Sequence, residues 1–523
     1  MSVSRHCVCL RRTVFDLRTV FGLVVAVVAL VPTAAPAFEN KSLRAASSSI
    51  VADELRRHVE VLANDTFEGR AAGSRGGRAA AGYLVEQLKR FGLKPAGRPA
   101  TSYYQPFGAG YQNILGVLEG SDPELKRQYV LVGAHYDHVG YGNAQNSNGP
   151  IGYIHNGADD NASGDAAMLE IIQGLSMLAE RPKRSILFAF WDCEENDLNG
   201  SRHWMASPTV PREQLTLAFN MDMVGRLGKK PLEIIGSRSA WGLRRFVAEH
   251  NDITSLPLEF TWEMKRNSDH YSFYSQGIPV LMIHTGLHND YHRPSDDAEK
   301  LNYDGMESIA RLIFELVYAE AEAERRPAYR SASRLEDPAG QRRLETPLPL
   351  GRGRLGISWD TNDTANPGLR IVEVTPRSAA ARAGLAVGDR LVRINGVTID
   401  DANDLRAMVL GAKNPMQAEI VRAGAEEPTE LSIELDDQPV RLGISWREDA
   451  GEPGTMIVVQ VIPGSNAERA GIRVHDRVYQ IAGRNFKDGN EFIARVAESA
   501  GPIELTVERA GRVSTVVVRD WAK

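Results

Sequence analysis

Four short and almost uninterrupted apolar runs alternate with helical patterns between residues 52 and 322. One helical pattern, residues 166–179, lies between the first two runs. Strands that are apolar on both faces and alternate with helices are typical of a sheet covered by helices on both sides. We therefore predict an α/β domain with a mostly parallel or mixed central sheet. The four runs are Tyr129–Ala134, Ser185–Phe190, Leu215–Phe219 and Pro279–Ile283.

The C-terminal third contains an internal repeat. Leu355-Gly-Ile-Ser-Trp359 recurs 87 positions later as Leu442-Gly-Ile-Ser-Trp446, and Ala383-Gly-Leu385 recurs at the same offset as Ala470-Gly-Ile472. A constant offset indicates two copies of one small domain. The preceding stretch is rich in Arg, Pro, Ser and Glu without apolar periodicity, which is typical of a linker.

The N-terminal segment has the pattern of a signal peptide. Arginines precede an apolar run at 20–31, and Ala35-Pro-Ala37 offers a cleavage site. We expect export to the periplasm or the exterior and no stable membrane span after cleavage; an uncleaved membrane anchor is the alternative. Cys193 would then be the one cysteine left, so no internal disulfide is expected. The predicted organisation is a signal peptide at 1–37, a catalytic domain at 38–325, a linker at 326–350 and small domains at 351–437 and 438–523.

Composition narrows the class of partner. The chain of 523 residues is 43% hydrophobic and 24% charged, as in ordinary globular proteins, and its net charge is -6. This charge argues against a nucleic acid or an anionic membrane as partner.

Polar side chains follow each apolar run of the predicted sheet. Because the carboxyl ends of parallel strands meet at one edge, we expect these side chains to converge. Two histidines with three carboxylates form the ligand set of a pair of divalent metals. The candidates are His135 and Asp137 after the first run, Glu194 and Glu195 after the second, Asp222 after the third, His284, His288, Asp290 and His292 after the fourth, and Asp160 in the turn at 157–164.

Charge and geometry limit the arrangement. Three carboxylates bring three negative charges, so two Zn²⁺ ions and one hydroxide neutralise the site, whereas a single zinc leaves surplus buried negative charge. Adjacent residues of an extended segment point in opposite directions. One of Glu194 and Glu195 should therefore bind metal while the other acts as general base, and the residues alone leave open which does which.

Five motifs in this order resemble metallopeptidase family 28, the co-catalytic zinc aminopeptidases of the S and Y type and the relatives of glutamate carboxypeptidase II. The resemblance covers roughly residues 52–322. It implies one zinc on His135, Asp160 and Asp222 and a second on Asp160, Glu195 and His292. The motifs are His135-x-Asp137, the turn at 157–164, Glu194-Glu195, Asn220-Met-Asp222 and the segment 291–296.

The same resemblance implies the remaining roles. Glu194 would be the general base, Tyr291 would donate a hydrogen bond to the oxyanion, and Asp137 would support the metal site from behind. The peptide bond between Asp160 and Asn161 would be cis. His138 and the other nearby histidines receive no ligand role.

The two repeats resemble PDZ domains of the bacterial protease type. Their carboxylate-binding loops would hold the C-terminus of a peptide, which adds a strand to the sheet edge. A pair used only for packing is the alternative. The loop residues are Leu355, Gly356 and Ile357 in the first copy and Leu442, Gly443 and Ile444 in the second.

The resulting hypothesis is an exported two-zinc aminopeptidase whose partners are peptide or protein substrates and C-terminal peptides bound by the PDZ domains. Cobalt or manganese could replace zinc in such a ligand set. The alternatives are a carboxypeptidase, an aminoacylase or a glutaminyl cyclase-like enzyme on the same site. A noncatalytic binding protein on a peptidase fold, like the transferrin receptor relatives, is the alternative from another class.

Overall fold

The computed structural model describes residues 41–349, 353–363, 367–437 and 441–519. The predicted signal peptide at 1–37 lies outside these ranges, so export stays a prediction. Within the described ranges, no helix is long and apolar enough to cross a membrane.

A nine-stranded mixed sheet forms the centre of the described N-terminal part, in the order β1-β3-β5-β4-β6-β9-β7-β8 with β2 paired to β3. The four middle strands β5, β4, β6 and β9 are parallel, and β3 and β7 run antiparallel to their inner neighbours. The predicted mixed sheet is therefore confirmed. The strands are β1 (Lys94–Pro95), β2 (Tyr104–Phe107), β3 (Tyr111–Leu118), β4 (Tyr129–His135), β5 (Ser185–Trp191), β6 (Leu215–Met221), β7 (Leu232–Ile235), β8 (Leu258–Thr261) and β9 (Val280–His284).

Helices cover both faces of this sheet. In β5 the side chains of Phe188 and Phe190 enter the core on one face, whereas Leu187 and Trp191 enter the core on the other. Burial on both faces explains why the strand is continuously apolar. The helices are α1 (Lys41–Ser48), α2 (Ala52–Leu62), α3 (Arg75–Arg90), α4 (Gly164–Ser176), α5 (Asn199–Ala206), α6 (Leu243–Glu249), α7 (His270–Tyr274), α8 (Tyr303–Glu322) and α9 (Pro338–Glu345).

The repeat forms two small six-stranded sheets, each with its own apolar core. The 87-residue offset relates the first residues of all corresponding strands and helices except the last pair of strands, which confirms two β-rich domains of one kind. The first contains β10 (Ile357–Trp359), β11 (Leu369–Val374), α10 (Ala379–Arg382), β12 (Arg390–Ile394), β13 (Val397–Thr398), α11 (Ala402–Gly411), β14 (Met416–Val421) and β15 (Pro428–Ile433). The second contains β16 (Ile444–Glu448), β17 (Met456–Val461), α12 (Asn466–Arg469), β18 (Arg477–Ile481), β19 (Arg484–Asn485), α13 (Gly489–Glu498), β20 (Ile503–Arg509) and β21 (Arg512–Val518).

The second small domain packs against the edge of the large sheet. The backbone N–H of Leu258 in β8 donates to the carbonyl of Ala510, in the turn between β20 and β21. A side chain on Gly511 would clash with Leu258, since its Cβ would lie 2.5 Å from that residue. The predicted linker also contacts the second small domain. It contains α9, and its Leu348 N–H donates to the carbonyl of Val459 in β17. The domain boundaries themselves remain predictions.

Candidate metal centre

The carboxyl ends of the middle strands place the predicted polar side chains in one crevice. His135 is the last residue of β4, and Asp222 directly follows β6. Glu194 lies three residues beyond β5, and His292 lies in the loop after β9. All five predicted metal ligands and Glu194 therefore meet at the sheet edge, as expected for strands that run in parallel.

Asp160 lies at the centre of the group. Its Oδ1 atom is 3.3 Å from Nε2 of His135, and its Oδ2 atom is 3.1 Å from Nε2 of His292. The two oxygens thus face two different histidines. A carboxylate in this position can bridge two cations.

The side chains around Asp160 form two sets. One contains His135, Glu194 and Asp222, and Nε2 of His135 lies 3.4 Å from Oδ1 of Asp222. The other contains His138, Asp160, Glu195 and His292, and Nε2 of His292 lies 3.1 Å from Oε2 of Glu195. The two adjacent glutamates therefore belong to different sets, as their alternation predicts. Their individual roles remain predictions.

The turn that carries Asp160 is held by side chains from distant segments. Oδ2 of Asp296 accepts hydrogen bonds from the backbone N–H groups of Asp159 and Asp160. The Asn161 side chain donates to the carbonyl of Met221 at the end of β6. The peptide bond between Asp160 and Asn161 is cis, as the family resemblance implies.

Both histidines that face Asp160 are oriented by a hydrogen bond from their other ring nitrogen to a backbone carbonyl. Nδ1 of His135 lies 3.2 Å from the carbonyl oxygen of Asp137, and Nδ1 of His292 lies 2.8 Å from that of Asn146. Because a carbonyl only accepts, Nδ1 donates in each ring, and Nε2 is the nitrogen that faces the crevice. The Asp137 carboxylate accepts the backbone N–H of Glu194 and so fixes the glutamate segment behind His135.

Electrostatics favour positive charge in the crevice. Burial alone would lower the pKa of His135, but the Glu194 and Asp222 carboxylates outweigh it and raise that pKa well above its ordinary value. Burial would raise the pKa of Asp160, yet His135, His138 and His292 hold it well below the usual range. Buried carboxylates that attract charge this strongly need cations or protons for compensation.

The donor set fits divalent zinc. Nε2 of His292 makes no hydrogen bond within the described residues, although carboxylate oxygens lie 3.1 Å away on two sides. Consider two ligand atoms that each lie about 2.1 Å from one zinc ion and subtend an angle of about 90–110° at it. Such atoms are about 3.0–3.4 Å apart. The observed separations of 3.1–3.4 Å around Asp160 match that spacing.

Tyr291 borders the same crevice. Its ring stacks on the imidazole of His292, with 3.9 Å between ring centroids. Burial, followed by the charges of Asp160 and Glu195, raises the pKa of Tyr291, so its hydroxyl keeps its proton at neutral pH. The side chain is therefore available as a hydrogen-bond donor.

Two residues of the site could not be assigned from sequence. His138 places Nδ1 2.8 Å from Oε1 of Glu195, although a single histidine after a strand is more often structural. Arg70 is fully buried and donates to carbonyls on both sides of the crevice, including those of Tyr136 and Gly157. Nothing in the local sequence around Arg70 marks this role.

The predicted PDZ loops adopt matching conformations in both small domains. Gly356 and Gly443 have φ values of +77° and +81°, which favour glycine. A Cβ on either would lie 2.3 or 2.2 Å from the Cβ of Ser378 or Ser465, respectively. Leu355, Ile357, Leu405 and Val409 of the first domain line a cavity of about 250 Å³, and Ile462 and Pro463 of the second domain also border it.

Family models match both parts of the chain. Residues 113–317 match the model of peptidase family M28, and residues 370–417 and 457–509 match the PDZ domain model. The resemblance to family 28 with two C-terminal PDZ domains is therefore confirmed.

Curated relatives match the peptidase part at moderate identity. Leupeptin-inactivating enzyme 1 of Streptomyces exfoliatus is 26% identical over 243 residues, which are 46% of this chain and 50% of that protein. Aminopeptidase YwaD of Bacillus subtilis is 27% identical over 234 residues, 41% of this chain and 46% of that protein. The chain thus spans about half the length of these relatives. Among solved structures, a Zn-dependent exopeptidase from Parabacteroides distasonis is 23% identical with a TM-score of 0.42, over 51% of this chain and 97% of that one.

Proposed function

We propose that this chain, whose residues 113–317 belong to peptidase family M28, is an exported aminopeptidase that uses two zinc ions and removes N-terminal residues from peptides. One observation carries the proposal. Asp160 presents one oxygen to His135 and the other to His292, and each histidine also faces a second carboxylate. This arrangement suits two cations that share one ligand.

The predicted ligands would hold the ions as two triads with Asp160 in common. His135 and Asp222 complete one triad, and Glu195 and His292 complete the other. When bound, zinc ions supply Lewis acidity and lower the pKa of water. Two features support a count of two ions. The candidate ligands form two separate sets beside Asp160, and the three ligand carboxylates bring three negative charges.

Glu194 is the proposed general base. Burial, together with the charges of Asp269 and Asp222, raises the pKa of its carboxyl, which makes the carboxylate a stronger proton acceptor than that of an exposed glutamate. It would take a proton from the attacking water and return it to the nitrogen of the leaving amine. Tyr291 would donate its hydroxyl hydrogen bond to the oxygen of the tetrahedral intermediate.

The PDZ domains would hold polypeptide substrates or partners by their C-termini. The support is the glycine conformation of the two loops and the apolar cavity beside the first. A peptide that adds a strand at β10 would place its last side chain in that cavity.

The activity can be tested with the purified protein. We expect hydrolysis of aminoacyl-nitroanilides, loss of that activity in a chelator and recovery on addition of Zn²⁺. Acyl dipeptides with a blocked amino group should react much more slowly. Preferred cleavage of the acyl dipeptides would instead favour the carboxypeptidase or aminoacylase alternative, and no hydrolysis of any peptide with two zinc ions bound would favour a binding protein.

A further inference from the structure

His138 directs a ring nitrogen into the second of the two sets. Its side chain is buried, and Nδ1 lies 2.8 Å from Oε1 of Glu195 and 3.7 Å from Oδ2 of Asp160. The ring stands edge-on to that of His292, with 5.5 Å between centroids and 82° between planes. Two imidazoles and two carboxylates therefore face one small space.

The ligand atoms of these four residues all lie within 4.8 Å of one another, as the donors around a single metal ion must. Glu195 uses its two oxygens on two different histidines, Oε1 on His138 and Oε2 on His292. The four nitrogen–oxygen separations among these residues and Asp160 lie between 2.8 and 3.7 Å. Ligands at about 2.1 Å from a common zinc ion would be separated by about 3.0–3.4 Å. The two separations from His292, both 3.1 Å, lie within that range, and the two from His138, 2.8 and 3.7 Å, lie on either side of it.

Apart from the contact of Nδ1 with Glu195, the ring of His138 makes no hydrogen bond within the described residues. Nε2 is buried and has no hydrogen-bond partner within the described residues, which is unusual for a structural histidine. By contrast, His155 makes hydrogen bonds through both ring nitrogens, to Ser147 and to the carbonyl of Tyr153.

The backbone is shaped to admit the ring. Gly157 has φ of +56°, and a Cβ at that position would lie 2.5 Å from the His138 ring. The backbone N–H of His138 donates to the carbonyl of the buried Arg70, which fixes the residue from the opposite side. A side chain at position 157 would collide with both the His138 ring and the carbonyl oxygen of Asp160.

We propose that His138 is a fourth protein ligand, through Nδ1, of the metal ion held by Asp160, Glu195 and His292. This inference rests on the proposed two-metal function. It makes the two sites unequal, since the ion near His135 has three protein ligands and the other has four. The four-ligand site should bind its ion more tightly and fill first when metal is added.

Metal titration of the full chain tests the inference. Metal-free wild type, His138→Ala and His138→Gln are dialysed against buffered free Zn²⁺, and bound zinc is counted by elemental analysis. We expect two ions in the wild type with the tighter one weakened at least tenfold in both variants, while the weaker site changes less than threefold. His203→Gln is the matched control, because His203 stacks on Phe107 outside the crevice and should change neither site.

Cobalt substitution separates a ligand from a mere hydrogen-bond donor to Glu195. Loss of a nitrogen ligand should shift and change the intensity of the visible Co²⁺ bands of the first ion bound. Unchanged bands in both variants, or equal weakening of both sites, would overturn the inference while leaving the proposed function intact. Wild-type protein that binds no metal would overturn the proposed function and this inference together. Thermal unfolding of the metal-free variants checks that the fold is retained, and Gln at position 138 keeps a polar side chain if Ala does not fold.

Discussion

Glu194 occupies the side of the crevice that also contains His135 and Asp222, yet it is the one residue of that set predicted not to bind metal. Replacing it with Gln keeps shape and hydrogen bonding but removes the proton acceptor. We expect Glu194→Gln to lower kcat by about 100- to 10,000-fold, the range for loss of a general base.

Metal content distinguishes this role from that of a ligand. Glu194→Gln should retain both ions in elemental analysis, whereas Glu195→Gln should lose affinity for one of them. A Glu194→Gln protein that keeps full activity in the nitroanilide assay, or that loses an ion, would show that the roles of the two glutamates are wrongly assigned.

Cys193 precedes the glutamate pair, and its thiol is buried. Burial and the nearby Asp137 charge raise the pKa of Cys193 to about 11, while the amide of Asn196 donates to its sulfur. The thiolate is the reactive form, so little is present at pH 8. We expect the peptide that carries Cys193 to be alkylated by iodoacetamide at least 100-fold more slowly in the folded protein than in urea, as measured by mass spectrometry. Equal rates in both conditions would contradict a buried, protonated thiol.

Individual site residues could be assigned from the sequence where they belonged to a motif. The five expected ligands come together because each follows a strand or a turn whose position the apolar pattern predicts. His138 and Arg70 escaped assignment for a physical reason: their roles depend on the distances to Glu195 and to carbonyls of remote segments, and no local pattern encodes those distances.

Three of the four strands around the site were predicted to within one residue at each end, and β6 extends two residues beyond the run expected at 215–219. The run expected at 129–134 is β4 at Tyr129–His135, and the run expected at 279–283 is β9 at Val280–His284. Prediction succeeds here because burial on both faces forces an apolar side chain at every position. Strands β7 and β8 have only four residues each, and β7 pairs antiparallel with β9 some 45 positions later in the chain, so periodicity did not reveal them.

The two PDZ grooves differ although their loops match. In the second domain Trp446 packs edge-on against Phe492, with 4.9 Å between ring centroids. The corresponding residues 87 positions earlier are Trp359 and Leu405, which line the cavity of the first groove. The larger phenylalanine fills space that leucine leaves open.

We therefore expect a peptide with an apolar C-terminal residue to bind chiefly to the first PDZ domain. Leu405→Phe should weaken binding of a fluorescent peptide at least tenfold by anisotropy, since it reproduces the filled groove. Phe492→Leu is the reciprocal variant and should not weaken binding. The same peptide with an amidated C-terminus should bind neither groove. If Leu405→Phe binds as tightly as wild type without a change in thermal stability, the groove is not the binding site.

Buried ion pairs join the second PDZ domain to the peptidase part. Arg238 donates to both oxygens of Asp449 at 2.5 and 2.6 Å and also to Glu336. Arg244 in α6 donates to both oxygens of Glu508 in β20 at 3.0 and 3.1 Å. Asp449 and Glu508 lie more than 200 positions beyond their arginine partners in the chain, so the sequence predicted two domains but not their contact.

Glu508 gives this interface a pH dependence. Burial would raise its pKa, but Arg244 and Arg477 lower the pKa to about 2, against 4.5 in the unfolded chain. A depressed carboxyl pKa stabilises the folded protein above the unfolded value, and that contribution is lost as the pH falls from 4.5 towards 2. A shift of this size corresponds to about 3 kcal/mol.

Glu508→Gln removes the negative charge beside the buried guanidinium groups of Arg244 and Arg477. Buried cations without a countercharge destabilise the folded protein. In metal-free protein we expect urea unfolding at pH 7 to show the variant about 3 kcal/mol less stable than wild type, with the difference shrinking steadily below pH 4.5. Glu504→Gln is the matched control, because Glu504 lies exposed on the same strand and its replacement should change stability by less than about 0.5 kcal/mol.

Comparing each variant with wild type at every pH cancels most of the titration of the buried Glu452, whose pKa is raised to about 7 by burial and by Asp449. A difference between Glu508→Gln and wild type that stays constant from pH 7 to pH 3 would mean that the Glu508 carboxylate does not hold the second PDZ domain against α6 through its charge.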